Sequence, residues 1–262
     1  MGNIKVLVTG SDGQLGRTIE ELFSKNSLNI DFVFLSKGDL DITNQEQVDI
    51  VLGEQKFDYC INCAAYTNVE QAEKKPSVAY AINAEAVKNL ADVCEENNIV
   101  LIHISTDYVF DGEKIEPYTI KDLPNPINEY GKSKLQGEKY IQNSLETYFI
   151  IRTSWLYSKK YGNNFYKTIL KKAKVEKELY ITTEQIGCPT DTVNLSKFII
   201  KLINSNSKNF GIFHFCDKKS MTWYNFTKQI LKENNLSNKV KLAKAKNYHT
   251  FARRPKNSIL TD

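Results

Sequence analysis

Ile4-Lys5-Val6-Leu7-Val8-Thr9-Gly10-Ser11-Asp12-Gly13-Gln14-Leu15-Gly16 is an apolar run, a G-x-x-G-x-x-G turn and the first turn of a pattern with helical spacing (Leu15, Ile19, Leu22, Phe23). A strand that is apolar throughout has both faces covered. Glycines between a strand and a helix permit a tight turn and bring backbone N–H groups against a pyrophosphate at the helix N-terminus. Such turns follow many strands, so the motif is weak by itself. The order strand, glycine turn, helix, strand makes Gly10, Asp12, Gly13, Gln14, Leu15 and Gly16 a candidate dinucleotide site.

Outward from this stretch the signals alternate. Strands are expected at Phe32 to Leu35, Tyr59 to Asn62, Val100 to Ile104 and Tyr148 to Thr153. Helices are expected at Gln45 to Leu52, Val78 to Glu95 and Tyr130 to Gln142. The pattern predicts an α/β fold, a Rossmann-type doubly wound parallel sheet covered on both faces. After Thr153 the alternation weakens. Helices over Phe165 to Lys174, Asn194 to Ile203 and Thr222 to Glu233, with a strand at Phe210 to Phe215, suggest a smaller mixed α/β lobe. The expected division is a dinucleotide-binding domain over 1–153 and a mainly substrate-binding lobe over 154–262, with some segments returning to the first domain.

The strand ending at Ser105-Thr106 leads to Tyr130 and Lys134, which lie on one helix face about 6 Å apart along its axis. A tyrosine can protonate a new alkoxide if its pKa is brought down, and a neighbouring ammonium would do this. The same ammonium can hydrogen-bond a ribose hydroxyl, and Thr106 can hold the substrate oxygen. With 14 tyrosines in the chain, such a pair alone would be noise. Its place after a hydroxyl-bearing strand end, in a chain with a dinucleotide signature, makes Thr106, Tyr130 and Lys134 the candidate catalytic set, with Ser105 beside the cofactor.

An acid near the end of the second strand would hold the ribose 2′-OH of NAD. Ser36-Lys37 stands there instead, which favours the 2′-phosphate and so NADPH over NADH, with Asp39 and Asp41 close by. Asn62-Cys63-Ala64-Ala65 ends the third strand in small residues, over which a cofactor can lie.

Composition excludes other classes. The 262 residues are 41% hydrophobic and 25% charged, which suits a soluble globular protein. No segment approaches the roughly 18 unbroken apolar residues of a membrane span. The N-terminus enters a strand pattern at once, so no signal peptide and a cytoplasmic location are expected. A net charge of +4 spread over scattered lysines gives no nucleic-acid-binding face. Five scattered cysteines suit reduced thiols, and Cys60-x-x-Cys63 reads as a strand end whose two side chains face opposite ways, not as a metal or redox pair.

Beyond these patterns, the chain resembles the dTDP-4-dehydrorhamnose reductase branch of the extended short-chain dehydrogenase/reductases. The likeness is carried by G-x-x-G-Q-L-G, L-D-I-T (Leu40 to Thr43), N-C-A-A-Y-T (Asn62 to Thr67), S-T-D-Y-V-F-D-G (Ser105 to Gly112), Y-G-K-S-K-L-Q-G-E (Tyr130 to Glu138), R-T-S-W-L-Y (Arg152 to Tyr157), G-N-N-F (Gly162 to Phe165) and R-R-P-K-N-S (Arg253 to Ser258). The resemblance implies catalysis by Thr106, Tyr130 and Lys134, with Tyr130 as proton donor. It implies cofactor contacts from Asp41, Ile42, Ala64, Ala65, Tyr66 and, nearby, Asn83, and a sugar-nucleotide site lined by Val69, Asp107 and Trp155. The substrate it implies is a dTDP-sugar, reduced at a C4 keto group by NADPH or NADH.

Related dehydratases place an acid directly after Thr-Asp to drive elimination; here Tyr108 stands there, so reduction without elimination is expected. A non-catalytic subunit like the methionine adenosyltransferase regulatory subunit, or a related deoxysugar reductase or epimerase, is the alternative. Some relatives hold magnesium at a dimer interface through carboxylates whose matching positions here are Thr18 and Val193. Neither binds a hard cation well, so no metal and a monomer or weak homodimer are expected. The chain also ends sooner after R-P-K-N-S than the family usually does, which suggests a short member or a truncated chain.

Overall fold

β1 (Ile4–Thr9) runs through the middle of the molecule, with Val6, Leu7 and Val8 wholly buried. The computed structural model describes residues 3–25, 29–245 and 250–261. From β1 the chain passes through α1 (Gln14–Phe23) to β2 (Ile30–Leu35), then through α2 (Gln45–Glu54) to β3 (Tyr59–Asn62). β2 and β3 pair with β1 on opposite sides, both parallel to it. The carboxyl ends of β1 and β3 therefore carry connections that leave in opposite directions, which opens the crevice where doubly wound sheets bind ligands.

The short helices α3 (Val69–Lys74) and α4 (Pro76–Tyr80) follow, then a π-turn at 81–85 and α5 (Ala86–Glu96). β4 (Val100–Thr106), α6 (Glu129–Ser144) and β5 (Tyr148–Thr153) continue the alternation. Two-residue strands β6 (Leu156–Tyr157), β8 (Ile186–Gly187) and β9 (Thr190–Asp191) are interleaved with α7 (Phe165–Ala173) and β7 (Glu178–Ile181). Then come α8 (Thr192–Asn204), β10 (Gly211–His214), β11 (Met221–Thr222), α9 (Trp223–Glu233) and β12 (Lys241–Lys244).

The main sheet has six strands in the order β2-β1-β3-β4-β5-β10, all parallel. The doubly wound expectation is correct. Because alternate side chains face opposite ways, β1 feeds two cores. Leu7 meets Cys60, Leu101 and Ile150 under α2, α5 and α6 (Val48, Leu90, Ile141). Val6 and Val8 meet Ile61 and Phe149 under α1 and α8 (Ile19, Leu195, Ile199). Each fully buried aliphatic side chain contributes about 1.5–3 kcal/mol of transfer free energy. A third core, of Tyr157, Tyr166, Leu179, Phe226 and Ile230, lies between α7, α9 and the parallel β7–β12 pair. α8 and β10 return to the sheet, so the last hundred residues serve both bodies. Among the described residues no helix is long and apolar enough to cross a membrane.

Two expectations need correction. The single helix over Val78 to Glu95 is a longer segment from Pro76 to Glu96, broken at 81–85 by the π-turn. That turn aims Asn83 at Tyr66 and at Ser133 of α6. The strands β7 and β12 were not expected, because runs of four residues are too short to show a period, and β7 starts at the last residue of the mixed-charge run from Lys171 to Glu178. The expected C-terminal shortness falls on Asp262, outside the described residues.

α6 starts where Asn128 caps it, accepting a hydrogen bond from Gly131 N at 2.7 Å. The Asn128 amide also donates to Arg253 O at 2.9 Å. Asn128→Ala removes both bonds and is expected to cost about 1–2 kcal/mol, a fall of a few degrees in Tm, measured by thermal unfolding. No change in Tm would show that the cap is not what fixes this helix start.

Candidate active site

Gly10 turns the chain out of β1 with φ of 59°. A Cβ there would lie 2.7 Å from Ala64 N at the end of β3, so only glycine fits. The turn delivers the chain to α1, whose N-cap is Gly13 and whose first turn receives no side-chain cap. Its orphan N–H groups and dipole are therefore left for an anion. Behind the turn, Asn62 Oδ1 accepts from Thr9 Oγ1 at 2.7 Å and from Ala64 N at 3.1 Å, locking the ends of β1 and β3 together.

A cleft of about 530 Å³ opens along this edge. Gly13, Gln14, Leu15 and Ala65 line it at the turn, and Ser105, Thr106, Asp107, Tyr130 and Lys134 line it deeper, with Val69 and Trp155 on its walls. The remaining candidates lie outside that lining. Gly10 and Gly16 shape the turn, while Asp12 is exposed. Ser36 follows Leu35, which pairs with Thr9, so the Ser36-Lys37 and Asp41-Ile42 loop sits on the same sheet edge one strand over. Asp39 accepts from Ser36 Oγ at 2.6 Å, and Asp41 accepts from Thr43 Oγ1 at 2.8 Å and lies 3.7 Å from Lys37 Nζ. Both acids are thus occupied within their own loop. Ala64 and Tyr66 present backbone there, and Asn83 acts from behind, accepting from Tyr66 N at 2.8 Å. The Gln14 side chain points away to the lobe, donating to Leu156 O at 3.1 Å and accepting from Asn164.

α6 can bring Tyr130 to the cleft because Gly131 lies against the turn at 107–109: a Cβ there would be 2.1 Å from Tyr108 O. Burial pushes the Tyr130 phenol up to about 12, and a hydrogen bond with Thr106 partly offsets this. Burial likewise brings Lys134 down to about 8, against the pull of Glu138. This corrects the expectation that Lys134 lowers the tyrosine. In this chain its Nζ donates to Ile104 O at 2.7 Å and lies 2.9 Å from His103 Nε2, beneath the cleft floor. Ser105 is also committed, its hydroxyl donating to Glu138, which leaves Thr106 as the strand-end hydroxyl beside Tyr130.

Asp107 is buried and accepts from Ser154 Oγ at 2.9 Å and Thr106 Oγ1 at 3.0 Å. Burial raises its carboxyl to about 6 despite hydrogen bonds from Ser258, Ser154 and Thr106. A folded pKa above the unfolded value means that the folded chain holds this proton more tightly. Stability is then lost as pH rises from about 4 to about 6, by roughly 2–3 kcal/mol. Asp107→Asn is expected to flatten the urea-unfolding free energy over that window; an unchanged slope would contradict it.

Trp155 has φ of 47°, a left-handed backbone uncommon outside glycine, and its ring stacks on Trp223 at 3.4 Å between centroids. Trp223 and Arg254 line the cleft with it. Sequence reading missed both, along with Thr67, Cys63 and Asn163. R-R-P-K-N-S and G-N-N-F carried the signal, but nothing local says which distant wall they reach. Cys60 and Cys63 face different cores, and burial raises the Cys63 thiol, keeping it protonated. Thr18 Oγ1 donates to Gln14 O at 2.7 Å and lies 3.0 Å from Thr192 Oγ1, while Val193 offers an apolar side chain.

The family model described as RmlD substrate binding domain matches residues 4–262. A dTDP-4-dehydrorhamnose reductase of Aggregatibacter actinomycetemcomitans is 38% identical, over 98% of this chain and 90% of its own. Among solved structures, a dTDP-4-dehydrorhamnose reductase from Bacillus anthracis in complex with NADP is 40% identical with a TM-score of 0.94, covering 99% of this chain and 90% of its own. One from Clostridium acetobutylicum is 40% identical with a TM-score of 0.93, covering 98% and 90%.

Proposed function

From the premise that the chain belongs to the RmlD substrate binding domain family, we propose that it is an NADPH-dependent reductase that converts the C4 keto group of dTDP-4-dehydro-6-deoxy-L-mannose to the alcohol of dTDP-L-rhamnose. The observation that carries this reading is the cleft itself. Tyr130 and Thr106, joined by a hydrogen bond, and Lys134 line the same cleft as the uncapped start of α1.

The residues present fit a dinucleotide. The glycine turn cannot hold a Cβ, the first turn of α1 offers bare N–H groups, and Lys37 stands exposed at the end of β2. When bound, the nicotinamide supplies the hydride. Thr106 Oγ1 and the Tyr130 hydroxyl hold the C4 oxygen, and Tyr130 gives its proton to that oxygen as charge develops. A phenol at about 12 in the free chain is a weak acid. An ammonium on Lys134 turned toward it would stabilise the phenolate that remains. Elimination needs an acid or base beside Thr106-Asp107. Tyr108 fills that place, and burial raises its phenol further, which keeps it neutral.

The lobe of residues 154–262 holds the sugar nucleotide in this reading. A depression of about 1100 Å³, lined by Arg253 and Lys256 and also by Asp111, Glu113 and Glu184, shares Arg254 with the cleft, and Arg253 and Lys256 are the cations it offers to a diphosphate. The enzyme works in the cytoplasm as a monomer or weak homodimer. The test mixes purified protein with NADPH and enzymatically made dTDP-4-dehydro-6-deoxy-L-mannose and follows loss of reduced-cofactor absorbance. Substrate-dependent oxidation is expected, with a lower kcat/KM for the UDP analogue. No oxidation would refute the reading, and a faster UDP reaction would refute its choice of base.

A further inference from the structure

Four polar groups form a hydrogen-bond chain beneath the cleft, and one of them fixes the direction of all the rest. Ala64 N carries a hydrogen and can only donate, and it donates to Asn62 Oδ1 at 3.1 Å. The Asn62 amide is therefore oriented with its oxygen toward Ala64 and Thr9 and its nitrogen toward His103. Asn62 Nδ2 carries two hydrogens and no acceptor, so at 3.1 Å it donates to His103 Nδ1. Nδ1 must then be bare, and a neutral imidazole has its one hydrogen on Nε2. Nε2 faces Lys134 Nζ at 2.9 Å. An ammonium has three hydrogens and no lone pair, and would meet that N–H with its own.

We propose that His103 is a positioning residue: held by Asn62 as the Nε2–H tautomer, it donates to Lys134 Nζ and favours the amine over the ammonium in the cofactor-free chain. The amine also donates to Ile104 O at 2.7 Å, which completes its seat. His103 is wholly buried, and burial alone disfavours its charged form, so the ring is a neutral imidazole at neutral pH. The titratable groups around the lysine are His103 on β4, Glu138 and Tyr130 on α6, and Asp107 at the end of β4. Glu138 is the one that favours the ammonium, and it is held by Arg152 of β5 and by Ser105. Charging the lysine requires Nζ to leave His103 and turn into the cleft, where a bound ligand's oxygens can accept its hydrogens. Ligand binding therefore favours lysine protonation, and filling the cleft brings the cation to Tyr130.

Two measurements test this. The first is two-bond proton–nitrogen correlation spectroscopy of the nitrogen-15-labelled, cofactor-free full chain between pH 6 and 9. The His103 ring is assigned by its disappearance in His103→Gln or, should that variant not fold, in a chain carrying His214→Asn and His249→Asn. The expected result is hydrogen on Nε2 and a bare Nδ1 throughout. Hydrogen on Nδ1, or on both nitrogens, overturns the proposal. The second is the pH dependence of NADPH affinity, read by tryptophan fluorescence. Affinity of the wild type is expected to fall as pH rises past the lysine's titration. His103→Gln offers a carbonyl that accepts from an ammonium, so the fall should begin about one pH unit higher. An unshifted profile in a variant that binds NADPH overturns the coupling. Failure of the wild type to bind NADPH at all would count against the cofactor reading, and the spectra would still decide the tautomer.

Discussion

Tyr130→Phe is expected to lower kcat by roughly 10²- to 10⁴-fold, with NADPH affinity changed by no more than a few-fold. The substitution removes one oxygen and keeps the ring, so the edge-on packing against Tyr108, with centroids 5.8 Å apart, survives. What goes is the acid that delivers the proton and one of two hydroxyls on the C4 oxygen. Thr106 donates to Asp107 Oδ1 and accepts from Tyr108 N, so its hydroxyl stays in place and can turn its one hydrogen from Asp107 to the substrate oxygen. The loss should therefore fall on kcat and not on KM. Steady-state kinetics with NADPH and the 4-keto substrate check this. A variant within a few-fold of wild type would mean that water, or another group, delivers the proton.

The second large effect is on stability. Glu138 and Arg152 form a wholly buried pair, with Arg152 NH2 donating to Glu138 Oε2 at 2.6 Å and Nε donating to Oε1 at 3.0 Å. Ser105 donates to the same carboxylate. This carboxylate ties α6 to the ends of β4 and β5, and so sets the height of Tyr130 and Lys134 over the sheet. Glu138→Gln leaves the guanidinium buried without its counter-charge, which is expected to cost about 3–5 kcal/mol. Pairing it with Arg152→Met should recover much of that loss, because two neutral side chains avoid the desolvation penalty. Urea-unfolding midpoints of the single and double variants check this. A single variant within about 1 kcal/mol of wild type would show that water or rearrangement compensates the charge.

Much of this was legible in the residues. α1, β3 and β5 begin and end where their apolar patterns place them, because each pattern stands out from the polar turns that flank it. The glycine turn was legible because Gly10 meets Ala64 across a strand pairing that β1 and β3 impose. That Thr106, Tyr130 and Lys134 share one cleft was legible from spacing on one strand and one helix, both local.

What spacing could not give was the company each side chain keeps. His103 reads as one residue of an apolar strand, yet its ring meets Asn62 on the neighbouring strand and Lys134 on α6. The direction of the tyrosine's titration came out reversed for the same reason. Burial sets it, and Lys134 Nζ is held away by groups about 30 residues distant in sequence. Trp223 and Arg254 reach the cleft only through lobe packing, and the short β7–β12 pair has too few residues to show a period.

The most direct test of the central claim is transfer of label to carbon. The protein is incubated with NADPH deuterated on the transferred hydrogen and with dTDP-4-dehydro-6-deoxy-L-mannose, and the sugar product is examined by mass and proton NMR. The expected result is dTDP-L-rhamnose with one deuterium, at C4, formed in step with NADPH oxidation. A product without deuterium, deuterium at another carbon, or no conversion with fully active reagents would contradict the claim that this cleft reduces a C4 keto group.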